Sequence, residues 1–342
     1  MKKERLFYLD LIRAISTIFV IIYHFNIHLG LWEINGDMIF KFIPNDYFRM
    51  SGVSLFIIIS GACLMYTNHE KFKTKNFFVK RFWAIYPTFW TGYFMAFLFT
   101  FYVNKTTIHL PKWRFIFTIL GVDGYFSKVI PNFYLVGEWF LGFIIIFYLV
   151  YPILRKFTIE KPKILAVFIT IIYVFSIKLN IEGFNVLQFS DLFSRLPEIL
   201  FGMYFIYYIK KVNIYQFIGA LCVMLFFMLN PLNINLIFKT TIIGISSFIV
   251  LVYIGQKINS ENKKVIFSFI SKYSFPSIIA NQLVMVYIMK SFSGHTISRS
   301  ESYLLFFIVY IVITTTAILI SKISSKVVMI FRKPNVLPQV RE

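Results

Sequence analysis

The sequence predicts an all-α fold: a polytopic membrane bundle of about ten transmembrane helices, with both termini on the inner side. Three observations predict it. Hydrophobic residues make up 58% of the 342 residues and charged residues only 15%, a balance foreign to a soluble domain of this length. Windows long enough to cross a hydrocarbon core of about 30 Å recur along the chain. Lysine and arginine crowd the stretches 1–7, 68–81, 155–163, 210–212, 257–272 and 322–342, which lie between alternate windows as the positive-inside bias requires.

The windows fall near 8–30, 49–67, 82–103, 133–154, 163–180, 190–209, 213–230, 236–256, 273–290 and 303–323. The first is long and lacks a small-residue cleavage site, so it is expected to stay as a helix. The second is rich in small residues, and the seventh and eighth are divided by Asn230-Pro231. Between the third and fourth lies the longest connection, about 104–132. Its apolar run WRFIFTILGV is expected to lie along the membrane surface. Residues 1–331 read as one transmembrane unit and 332–342 as a short tail.

The net charge of +20 would suit a polyanion partner, but no basic domain stands apart from the spans, so nucleic acid is excluded. The lipid bilayer is the expected partner, and no oligomeric state follows. Cys63 and Cys222 both fall in apolar windows and form no disulfide framework. His28, His69, His109 and His295 make no ligand spacing with cysteine or carboxylates, so no metal site is expected.

Residues with chemistry begin on the first window. Arg13 and His24 are eleven positions apart, which places them about 20° apart on one helix face and about 16 Å apart along its axis. Asp10 and Thr17 fall near the same stripe. Ionisable groups at that depth are costly and turn towards a bundle interior or a wet cavity; Arg13 can also snorkel to the edge, and His24 can be a packed core residue. In the second window Ser51, Gly52, Ser60, Gly61 and Ala62 suit close helix packing, or the wall of a narrow channel. Lys80 and Arg81 open the third window and suit anionic oxygens, though a basic pair is ordinary there. Glu138, beside Trp139, stands at the outer end of the fourth window, either wet or paired with a cation. Arg195 and Glu198 read as an ion pair in the sixth.

Taken in order, these segments resemble the family-3 membrane acyltransferases. The matching features are Arg13 and His24 after Tyr8-Leu9-Asp10; Phe56 to Ser60-Gly61; and Lys80-Arg81 followed by Ile85-Tyr86-Pro87. They continue with Glu138-Trp139 through Tyr148 to Tyr151-Pro152, and with Arg195, Pro197, Glu198 and Gly202. Two positions depart from the family pattern. Ala84 stands where the family usually has Arg, and Asn281 and Gln282 stand where its ninth helix often has His.

The resemblance implies transfer of an acyl group, usually acetyl from acetyl-CoA, to a hydroxyl of a capsule, exopolysaccharide or other envelope glycan at the plasma membrane. It implies His24 as general base, Arg13 and Glu138 as catalytic partners, and Lys80, Arg81, Ser60 and Tyr86 at the donor. Asp10, Arg195 and Glu198 become substrate-facing or structural polar groups. A transporter without acyl chemistry, or an acyltransferase for a small molecule or lipid, are the alternative readings.

Overall fold

A computed structural model describes residues 5–331 apart from 71, 106–108, 128–130, 132, 134–137, 182–188, 231 and 233. The tail 332–342 lies outside the described residues. Helices run α1 Phe7–Leu31, α2 Asn45–Asn68, α3 Thr74–Asn104, α4 Phe115–Leu120, α5 Glu138–Glu160 and α6 Pro162–Ile181. They continue with α7 Phe189–Tyr204, α8 Ile214–Leu229, α9 Leu236–Lys257, α10 Glu261–Lys290 and α11 Arg299–Phe331. Ten of these lie over the ten windows. Five of them (α1, α2, α5, α9 and α11) are long and apolar enough to cross a membrane.

The outward faces are apolar, as a lipid-facing bundle demands. On α6, Ile164, Val167, Phe168, Ile171 and Val174 are all exposed, and their spacing makes one helical stripe. Inside, α2 is the central helix, packing on α1, α7 and α9. Gly61 and Gly202 explain how α2 and α7 approach so closely. A Cβ on Gly61 would strike the Ile199 carbonyl, and one on Gly202 would strike that of Ile58. The small-residue stretch is therefore a packing face on that side of α2.

Helices α1 and α10 run parallel: Asp10, near the start of α1, meets Ser271 in the third turn of α10, and His24 meets Gln282 three to four turns later. Helix α5 runs antiparallel to α3, with Tyr151 stacked on Phe77 at 5.0 Å and Arg81 over the Tyr148 ring at 5.7 Å. Ten residues separate Tyr148 from Glu138, a rise of about 15 Å. Helix α5 therefore begins level with the middle of α3, not with its far end.

The connection between α3 and α5 corrects an expectation. The run 113–122 does not lie along the surface; it returns along the flank of α3. Thr118 Oγ1 lies 3.4 Å from Tyr93 Oη, Trp90 Nε1 donates to the Ile119 carbonyl at 3.1 Å, and Tyr86 Oη donates to that of Leu120 at 3.0 Å. Those partners lie 11–18 residues back from Asn104, a descent of about 16–27 Å. Non-helical backbone survives at such depth only where protein satisfies its polar groups, and these aromatic donors do so. Gly121, at φ +71°, turns the chain at the bottom.

Candidate active site: a basic cavity beneath His24

The first turns of α1 and the middle of α10 build the charged end of the site. Asp10 is buried; its Oδ1 accepts from Ser271 Oγ at 2.9 Å and its Oδ2 from Arg5 Nε at 2.6 Å. Arg13 reaches the same serine with Nη1 at 3.5 Å and donates to Cys63 Sγ with Nη2 at 3.2 Å. Arg13 thus turns into the bundle, held between α2 and α10, and does not snorkel. Thr17, on the same stripe, bonds back to the Arg13 carbonyl at 2.9 Å.

Arg13 and Ser271 border a cavity of about 310 Å³, at the small end of ligand-site volumes. Its walls carry Arg13, Ser60, Arg81, Ser271, Lys272 and Ser274 among apolar residues of α2, α3, α5 and α10. Among the described residues three cations line it and no carboxylate does. The Arg81 guanidinium rests over the Phe77 and Tyr148 rings, and its buried Nε has no hydrogen-bond partner among the described residues. A guanidinium so placed offers its N–H fork to anionic oxygens. Ala84, where the family usually has Arg, also lines the cavity.

Of the residues expected at the donor, Ser60 and Arg81 are brought here and two are not. Lys80 is exposed on α3 and does not line the cavity. Tyr86 points away, its hydroxyl spent on the Leu120 carbonyl. Lys80 stands about 100° round the helix from Arg81, on the exposed side. Sequence reasoning missed Lys272. Its stretch, rich in lysine, reads as a loop, whereas α10 begins at Glu261 and carries Ser271 and Lys272 as helical residues.

Further along, Ile278 and Ile279 close the α10 wall, and Gln282 follows one turn later. Its amide Nε2 lies 3.0 Å from His24 Nδ1, and its Oε1 lies 3.2 Å from His28 Nε2. Trp32 Nε1 donates to His28 Nδ1 at 3.1 Å. The Tyr23 ring meets His24 edge-on at 5.3 Å. So Gln282 does by hydrogen bonding what a histidine there would share. Asn281 is fully buried, and neither of its amide atoms has a partner among the described residues. The Glu138 backbone opens α5 at about this height; its side chain lies outside the described residues.

Arg195 and Glu198 are brought together elsewhere. Glu198 is fully buried on α7; its Oε1 accepts from Arg195 Nη1 at 2.9 Å and from Ser54 Oγ on α2 at 2.8 Å. Neither lines the cavity. They tie α7 to α2.

The half-buried His24 imidazole and a cavity lined by Arg13, Arg81 and Lys272 thus lie along one side of α10. The acyltransferase family 3 model, described as an acyltransferase domain, matches residues 6–322, and the chain belongs to that family. Neither the curated proteins nor the solved structures contain a match to it.

Proposed function

We propose that the protein is an integral membrane O-acyltransferase that moves acetyl from acetyl-CoA to a hydroxyl of a cell-surface or exported glycan. The cavity carries this reading: three cations without a carboxylate suit a phosphate-bearing donor, and the cavity runs along α10 towards His24. With the charged end facing the cytoplasm, the CoA phosphates stay near Arg81 and Lys272, and the acyl-pantetheine arm passes Arg13 and Ser60. The acceptor approaches from the other side, where His24 and the start of α5 lie.

The hydroxyl oxygen attacks the thioester carbon, the carbon–sulfur bond breaks, and the thiolate departs. The hydroxyl proton passes to the His24 imidazole, and an imidazole suits that task near neutral pH. Arg13 supplies positive charge along the path of the arm.

Replacing His24 with Ala in the native host, at unchanged protein level, is expected to lower O-acetyl on the surface glycan by about 10²-fold or more. Unchanged acetylation would remove His24 from the chemistry. Purified protein that consumes no acetyl-CoA thioester in the presence of glycan would favour transport over transfer.

A further inference from the structure

We infer that Trp32, His28 and Gln282 form a directional hydrogen-bond string that sets which nitrogen of the His24 ring carries its proton. The inference rests on the reading that places His24 at the reaction centre.

Direction comes from Trp32. An indole N–H only donates, so His28 Nδ1, 3.1 Å away, must accept. The neutral His28 ring then holds its proton on Nε2, which faces Gln282 at 3.2 Å. A donor there needs the amide oxygen, and that turns the Gln282 NH₂ group towards His24 Nδ1 at 3.0 Å. His24 Nδ1 accepts in turn, and the neutral ring keeps its proton on Nε2. Reversing the amide would leave His28 Nε2 accepting as well as Nδ1, a ring without a proton. Amide and tautomer assignments follow from such networks, and the indole, which cannot reverse, gives this one its direction.

The consequence concerns the chemistry. A ring protonated at Nε2 presents a donor from that nitrogen and cannot take a hydroxyl proton there. It becomes a base at Nε2 only after each ring gives its Nε2 proton to water and takes one from water at Nδ1, the Gln282 amide turns over, and the Trp32–His28 bond yields. Trp32 and His28 sit one turn apart at the far end of α1, where a bound acceptor can reach the indole. The string therefore acts as a tautomer lock. It keeps the thioester from being spent on water and is released by the acceptor. Trp32, His28 and Gln282 are positioning residues, acting through His24.

The test is ¹⁵N solid-state NMR of the full chain, histidine-labelled, in lipid bilayers, with His24→Asn identifying the His24 signals. Wild type is expected to show the Nε2–H form at both His24 and His28. Gln282→Glu puts an acceptor-only group between the rings, so Nδ1 of His24 gains a proton while His28 is unchanged. Trp32→Phe removes the fixed donor and shifts the His24 tautomer ratio by about fivefold, the effect of one net hydrogen bond. It also raises hydrolysis of acetyl-CoA in the absence of acceptor by a similar factor. An Nδ1–H signal at His24 in the wild type, or a Gln282→Glu spectrum with His24 unaltered, overturns the string. Expected spectra with no thioester turnover in any variant would instead overturn the acyltransferase reading and leave the string standing.

Discussion

Arg195 Nη1 lies 2.9 Å from Glu198 Oε1, and the glutamate is wholly buried while the arginine is partly exposed. The pair works with Ser54 as a clamp between α7 and α2, one turn from where Gly202 abuts the Ile58 carbonyl. Removing one partner leaves a buried carboxylate uncompensated. Arg195→Ala is expected to cost about 3–5 kcal/mol of stability, read as a lowered midpoint in thermal unfolding of the detergent-solubilised chain. Glu198→Gln, which keeps an acceptor for Ser54, is expected to cost less. Equal midpoints for wild type and Arg195→Ala would show that the clamp carries no stability.

The two glycine contacts give an independent check of the same seam. Gly61→Ala drives a methyl into backbone that cannot swing aside, with an expected loss of about 1–3 kcal/mol. Gly219, within α8, has nothing within 4 Å of its would-be Cβ. Gly219→Ala is expected to stabilise by about 0.5–1 kcal/mol, because only the helix propensity changes. Thermal midpoints of the two variants should move in opposite directions.

The cavity separates Arg81 and Lys272, which line it, from the exposed Lys80. Arg81→Ala and Lys272→Ala are each expected to raise the KM for acetyl-CoA by about tenfold or more, the value of one charge-assisted contact. Lys80→Ala, altering an exposed neighbour, should leave KM close to wild type. Equal responses at Lys80 and Arg81 would mean that the cavity is not where the phosphates bind.

Asp123, in the turn after α4 and outside the spanning helices, provides a dependence on pH. Burial pushes its carboxyl up to about 6, against the opposing hydrogen bonds from Thr118 Oγ1 at 3.0 Å and the Gly124 amide at 2.9 Å. A carboxyl raised on folding stabilises the fold below its ordinary value of 3.8 and loses that contribution as pH rises through about 6. The thermal midpoint of the wild type should therefore fall between pH 4 and pH 7 more steeply than that of Asp123→Asn. Parallel curves for the two proteins would rule out Asp123 as the source.

Much of this was legible because lipid leaves few options. Ten apolar windows became ten helices, and the stripe read from the spacing of Arg13 and His24, with Asp10 near it, turns towards Ser271 and Gln282 of α10. Boundaries were less legible. The stretch before residue 273 carries enough charge to look like a loop, and a helix that overhangs the apolar core gives no hydropathy signal. That cost Lys272 its place in the reading. The face of Tyr86 was equally hidden, since its partner is a carbonyl on a segment expected at the surface. The run 113–122 is as apolar as a surface-lying piece would be, and only its contacts with Tyr86, Trp90 and Tyr93 show that it descends. The height of Glu138 was hidden for a related reason: apolar content marks a window's extent but says nothing of its depth against a neighbour.

The returning segment and the late start of α5 divide the molecule into two halves of unequal plasticity. Around Arg13, Arg81 and Lys272 the walls are regular helices, each of which also packs elsewhere in the bundle, so a change there disturbs several neighbours. On one flank of α3 the run 113–122 is anchored through Tyr86, Trp90 and Tyr93. Reshaping the basic cavity means adjusting five helices together, whereas reshaping that flank of α3 means rewriting one short run.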